Sequence, residues 1–202
     1  MGNQVFPTKG NLISTKKSLE LARVGFELLD KKRNILVREL MILIDHANKI
    51  QEEIDACYGK AYLALQKANM TLGICQELSS TTPIDDTLKL SYRSVMGVEI
   101  PIVSIKKSEM NNIPFGVMFT NSNLDKTYRL FLEVKQKTAK LSEAENSVYR
   151  LAKSIKKTQK RANALKNVII PRFEKTVKFI NDVLDEKDRE DFSRLKVIKK
   201  KG

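Results

Sequence analysis

Tryptophan is absent from this chain of 202 residues, histidine occurs once, cysteine twice, and aromatic residues make up only 6%. With eight glycines and five prolines as well, the composition argues against a turn-rich sandwich or barrel and for long solvated helices. Two cysteines do not build a disulfide framework, so a reducing cytosol is the expected setting. No apolar run approaches the roughly 18 residues of a membrane span; the best is Leu40–Ile44. The opening MGNQVFPTKG lacks the basic-then-apolar order of a secretory signal. It also lacks the Ser or Thr at position 6 that favours myristoylation. Neither membrane insertion nor a lipid anchor is expected.

Reactive constellations are equally scarce. His46 has no Cys or His at metal-ligand spacing, so no metal or catalytic role is assigned to it. Cys57 falls on an apolar stripe and reads as a small buried hydrophobe; Cys75 falls near a helix end, too distant to pair with it. CYGKAY contains Gly-Lys without the glycine framework of a phosphate-binding loop. The sequon at Asn69–Thr71 lies in a predicted helix and is expected to stay unmodified. The mixed charges of Asp185–Phe192 and the tail KVIKKK read as solvated surface. No catalytic, cofactor or metal site is expected, and the chain is read as a non-enzyme.

What the chain does have is positive charge and period. Lys and Arg number 37 against 24 acidic residues, a formal charge of +13, which calls for an acidic partner. From Leu12, alternating steps of three and four reach Thr15, Leu19, Ala22, Phe26, Leu29, Arg33, Leu36, Leu40, Leu43 and Ala47. They continue through Ile50, Ile54, Cys57, Ala61, Ala64 and Ala68. Of these seventeen positions only Thr15 and Arg33 are not apolar. Such spacing is the mark of a left-handed coiled coil. The helix is expected to begin at a Thr8 or Asn11 cap and to end near Gly73.

A second stripe runs through Phe131, Val134, Thr138, Leu141, Ala144, Val148, Leu151, Ile155, Thr158, Ala162, Leu165 and Ile169, with one irregular step at Thr138. It continues through Phe173, Val177, Ile180 and Leu184 in altered phase. This helix is expected from Asn121 or Ser122, with Asp125 in its first turn, to about Asp188. Between the helices, LKLSYRSVMGVEIPIVSIKK predicts a β-hairpin about Gly97, and Pro101 predicts an open strand edge. The expected fold is mainly α: an antiparallel two-helix coiled coil with a small β insert. Its parts are residues 1–74, 75–121 and 122–202, acting as one structural unit. Each helix of about 65 residues would span about 95–100 Å. The product is a rod with a knob at one end and both termini at the other.

Pro171 lies inside the second helix, where proline costs about 3 kcal/mol. If the chain folds back near residue 97, Pro171 stands level with Arg23–Gly25. Gly25 and Pro171 are therefore predicted to form a shared bend, with Gly25 making room. Around them the charge is one-sided: Arg150 to Lys178 holds ten basic residues and one acidic, Glu174. Lys16, Lys17, Arg23, Lys31, Lys32, Arg33, Lys156, Lys157, Lys160 and Arg161 are read as a basic collar.

The ordered landmarks resemble a known family. The N-terminal stretch FPTKGNLISTKKSLELARVGFELLDKKRNIL carries Pro7, Thr8, Leu12, Leu19, Gly25, Leu28, Leu29 and Lys32 in the pattern of the D subunit of the V-type and A-type rotary ATPases. Phe26 and Asp30 depart from that pattern's His and Lys. Near the other end, Asn163, Ala164, Leu165, Ile170, Pro171, Thr176, Arg194, Leu195 and Lys196 match as well, and VMGVEIP resembles the family's hairpin. The resemblance implies a central-stalk rotor shaft that couples ATP hydrolysis or synthesis to proton or sodium translocation. It implies catalytic A and B subunits around the shaft, which the collar would face, and a small F subunit bound to it. It also implies a funnel-shaped subunit capping the membrane ring, and a place on the cytoplasmic side, peripheral to the membrane. The alternative reading is a basic coiled coil that binds nucleic acid or serves as a scaffold. The few aromatics, many of them on the seam, argue against it, and no nucleic-acid partner is expected.

Overall fold

The computed structural model describes residues 6–75, 86–105, 115–116 and 120–201. Helix α1 spans Lys9–Leu72. Thr8 caps it, its Oγ1 accepting the Asn11 N–H at 3.2 Å. The helix closes on Gly73, whose φ of +79° is the left-handed stop that returns its N–H to the Asn69 carbonyl at 3.0 Å. The second long helix begins at Ser122 with Asp125 in its first turn; α2 spans Ser122–Ala164. A five-residue π-helical turn, Leu165–Ile169, follows, and α3 spans Ile170–Lys201. The expected stop near Asp188 is therefore corrected: the helix runs on to Lys201. No Gly or Pro interrupts residues 172–201. The pairs Arg189–Glu186, Arg194–Glu190 and Arg194–Asp191, one turn apart, support the exposed stretch.

Between the helices, β1 (Leu88–Val95) and β2 (Val98–Ile105) pair antiparallel, with Tyr92 opposite Pro101. Met96 and Gly97 both take positive φ, 50° and 74°, as a two-residue hairpin turn requires. The remainder of the expected insert, residues 76–85, 106–114 and 117–119, lies outside the described residues. Pro101 brings no N–H to its edge, yet that edge is not open, which corrects the expectation. The next N–H along it, from Val103, donates to Glu143 Oε2 of α2 at 2.8 Å. Arg150, also on α2, donates to the Glu99 carbonyl at 3.2 Å and lies 5.5 Å from the Tyr92 ring centroid. The hairpin is thus tied to α2 by one carboxylate and one guanidinium.

The chain divides into two compact units, a terminal one (Met1–Ile35 with Ile155–Gly202) and a central one (Leu36–Ser154). In the central unit, Leu36, Ile50, Ile54, Ala61, Ala64 and Ala68 of α1 are buried, as are Leu124, Val134, Ala144 and Leu151 of α2 and Ile100 of β2. In the terminal unit the buried apolar residues are Ala22, Ala162 and Ile180. Partner numbers fall as α1 numbers rise, Arg23 meeting Glu174 and Arg33 meeting Gln159, so the helices of this unit run antiparallel.

Along α1, none of the seventeen stripe positions is exposed. The second stripe needs two revisions. Thr138 is exposed, and half-buried Lys137 takes its place, which moves the irregular step to Phe131–Val134–Lys137 and leaves a three-four alternation from Val134 to Leu165. Its ammonium lies 3.2 Å from Cys57 Sγ and 3.3 Å from both Glu53 and Glu133 carboxylates. The Cys57 contact, opposed by partial desolvation and helped by the two glutamates, holds its pKa above the ordinary lysine value. A raised lysine pKa contributes stability fully below about 10.5 and loses it only as pH climbs through the higher folded value. The cation is therefore intact across the neutral range.

The other revision lies at the π turn. Ile169 is 37% exposed, while Ile170 is half-buried. The Ile170 N–H reaches back to the Leu165 carbonyl, one residue farther than in an α-helix. Counting five from Leu165 lands on Ile170, and regular steps then reach Phe173, Val177, Ile180 and Leu184, all at least half-buried. The wide turn absorbs the extra residue and so keeps these four side chains on the covered face. It also sits directly before Pro171, where a regular helix would press the ring on the carbonyl four residues back.

Gly25 lies across from this turn, but not for want of space. A Cβ built on it would meet Leu165 Cδ1 at 3.9 Å, an ordinary contact. Gly25→Ala is accordingly expected to stabilise the chain by about 1 kcal/mol in urea unfolding. Deleting the exposed Val168 shortens the five-residue step to four and leaves Pro171 in a regular helix, at a cost of about 3 kcal/mol. Adding Pro171→Ala to that deletion is expected to restore most of the loss, which the same unfolding curves measure. At the other revised position, Lys137→Leu is expected to raise the thermal midpoint, and Lys137→Glu, a third carboxylate, to lower it.

Candidate functional site

The candidate site is a surface and not a reactive centre. Among the described residues no group of three His, Cys, Asp or Glu side chains could hold a metal ion. Among them, too, no helix is long and apolar enough to cross a membrane. The Cys57 thiol sits with Lys137 and Glu133 on a helix seam, and Cys75 is a free thiol beside the Gly73 carbonyl.

The predicted collar separates into two sets. Lys16, Lys17, Lys31, Lys156, Lys157, Lys160 and Arg161 are exposed, and Lys32 is half-buried. None of these eight is held in an ion pair among the described residues. All lie in the terminal unit, on two antiparallel helices, so their charge is presented outward. The other two are engaged internally. Arg23 Nη2 meets Glu174 Oε1 at 2.7 Å. Arg33 stands on the seam and turns inward: it donates from Nη1 to Gln159 Oε1 at 2.8 Å and pairs with Asp30 at 2.6 Å. Arg33 is a structural cation that satisfies its own donors, so it does not belong with the outward-facing set.

The seam residues of α1 are covered to different degrees. Leu36 is fully buried, and Leu19, Phe26, Leu29, Leu40 and Leu43 are half-buried. On the returning helix Leu151 is fully buried, Val148, Ile155 and Leu165 are half-buried, and Ile169 is exposed. Lys166 covers part of Phe26, its Nζ 5.8 Å from the ring centroid.

Sequence periodicity passed over a second set. Leu21, Val24, Leu28 and Ile35 are exposed on α1 within the terminal unit. Leu21, Leu28 and Ile35 recur every seven residues, parallel to the seam but off it. Near the end of α3, Phe192, Leu195 and Ile198 are exposed at helical spacing. A search for one apolar stripe per helix assigns all its signal to the seam. A second heptad frame on α1 was the signal available, and its meaning required knowing that the first frame was already covered. Together the terminal unit offers an outer surface of unpaired cations interleaved with uncovered aliphatics. Such a surface suits sliding or transient contact with acidic and apolar walls.

Comparison with known proteins places this architecture. A family model described as the D subunit of ATP synthase matches residues 11–200. The V-type ATP synthase D subunit of Thermotoga neapolitana is 45% identical over 199 residues, covering 98% of both chains. The A-type ATP synthase D subunit of Thermococcus kodakarensis is 36% identical, covering 96% of this chain and 93% of its own. That of Methanosphaera stadtmanae is 33% identical, covering 96% and 92%. Two long helices about a hairpin, a family match over almost the whole length and relatives matched end to end leave one assignment: the chain belongs to the family of ATP synthase D subunits.

Proposed function

We propose that this chain is the central rotor shaft of a V/A-type ATPase, coupling ATP hydrolysis or synthesis in an A/B hexamer to proton or sodium movement through a membrane ring. The observation that carries this reading is the family match over residues 11–200, with relatives named as ATP synthase D subunits covered over more than nine-tenths of their length. The shaft itself is non-catalytic and needs no cofactor. Its partners are the A and B subunits, the small F subunit of the stalk and the funnel-shaped subunit that caps the ring. It works on the cytoplasmic side, peripheral to the membrane.

The physical chemistry supports such a part. Paired helices resist twisting better than one, because torsion must shear interlocked side chains along the seam. A shaft must also be asymmetric about its axis, so that surrounding sites differ at any instant. The π turn before Pro171 supplies asymmetry, since only one of the two helices carries it. Unpaired surface cations attract acidic walls without locking to them, because each screened contact contributes little.

Two experiments test the reading. Co-expression with the small stalk subunit is expected to give a stoichiometric complex that survives sizing, and two separately eluting proteins would count against it. Replacing Lys156, Lys157, Lys160 and Arg161 together by Gln is expected to reduce coupled ATPase turnover roughly threefold at low ionic strength, with the gap narrowing as salt rises. Turnover equal to the parent at every salt concentration would remove the collar from the coupling surface.

A further inference from the structure

The central unit contains a cleft between its two helices and the hairpin. It encloses about 370 Å³ and has three walls. Leu43 and His46, one turn apart on α1, form one wall. Lys140, Glu143 and Ala144 of α2 form the next, and the hairpin closes the third with Ile100 of β2 and Arg93 of β1. Arg93 and Ile100 are opposed in the strand register, so they share a face of the ribbon.

Its chemistry is divided. The floor is apolar, with Ile100 and Ala144 both buried, while the rim carries Arg93, Lys140 and His46, all exposed. None of the three rim groups has a hydrogen bond or ion pair among the described residues. The one carboxylate present, Glu143, already accepts the Val103 N–H at 2.8 Å, which holds it against the strand edge. Two unpaired cations and an imidazole therefore line a cleft whose single anion is turned to another task. A predominantly apolar cavity of a few hundred cubic ångströms with a few convergent polar groups is the usual form of a small-molecule site. Unpaired Arg and Lys donors at the rim set the preferred charge of its occupant, since hydrogen bonds from cations to oxyanions are the strong ones.

We propose that this cleft binds a small organic anion, with an apolar body seated on the half-buried Leu43 and Ile102 and one oxyanion head held by Arg93 and Lys140. His46 supplies a third donor at the rim. An occupant bridges the hairpin and both helices, so its binding reports on how firmly the hairpin is held. This inference does not depend on the rotor assignment and can fail separately from it.

His46 is the only histidine in the chain, so its imidazole Cε1–H gives a single proton resonance at the rim. The experiment titrates the full-length chain with phenyl phosphate, benzoate and inorganic phosphate while following that resonance. Phenyl phosphate or benzoate is expected to shift it saturably, and the stronger of the two identifies the preferred head group. Arg93→Gln and Lys140→Gln are each expected to weaken that binding by about tenfold. The Lys156→Gln/Lys157→Gln pair, which lines no part of the cleft, is expected to leave it unchanged, and circular dichroism checks that each variant is folded. The proposal is overturned by an unsaturable shift, by binding as tight as the parent's in the Arg93→Gln and Lys140→Gln variants, or by inorganic phosphate binding as tightly as phenyl phosphate. The last outcome would mean that the apolar floor takes no part.

Discussion

Almost everything in this structure depends on keeping one apolar line of side chains against another while each helix turns 3.6 residues at a time. A straight helix drifts off a seven-residue repeat, and the pair must supercoil or insert a correction to stay in phase. Along α1 the repeat is unbroken and every position is at least partly covered. The returning helix keeps its phase as far as Leu165 and then takes up one additional residue in a π turn. If a regular turn ran through the same residues, the covered face of α3 would present Arg172 and Thr176 where Phe173 and Val177 now lie. Pro171 sits where the correction is made because a wide turn relieves the clash that a regular turn would impose.

The seam also contains two cations, and the structure treats them alike. Arg33 in the terminal unit is satisfied by Asp30, Asn34 and Gln159. Lys137 in the central unit is satisfied by Glu53, Glu133 and Cys57. A charge at such a position lowers stability relative to leucine but penalises other registers more, because a slipped helix would strand the cation against aliphatics. For a pair of helices built from similar leucines and alanines, register is the property most in need of such a device. Two buried hydroxyls are satisfied just as locally: Thr127 and Ser147 each return a hydrogen bond to the carbonyl four residues back.

Function follows from how the leftover chemistry is distributed. The terminal unit turns unpaired lysines and uncovered aliphatics outward, while the central unit carries the hairpin and its cationic cleft. Membership of the family of ATP synthase D subunits gives these surfaces a context, a complex with other subunits of the enzyme. A part that must rotate against its surroundings benefits from contacts that are many, weak and screened, and the outward surface consists of such groups.

Much of the architecture was legible in the residues themselves. Heptad spacing gave α1 from its Thr8 cap to its Gly73 stop, and the β-branched run about Gly97 gave the hairpin, because helix caps, seam period and turn chemistry are local rules. What the residues left undecided were matters of partnership. Thr138 looked like a seam residue because it is less polar than Lys137; only the nearness of Cys57, Glu53 and Glu133 makes the lysine the one that fits. Ile169 looked like the next seam residue because a step of four is the default, and only the covered positions downstream show that the step is five. Pro101 looked like an open edge until Glu143 was found against it. Local sequence determined which segments are helices and strands and where they stop. The pairing of helices decided which face each one buries, because burial is a property of two surfaces and no single stretch of chain contains both.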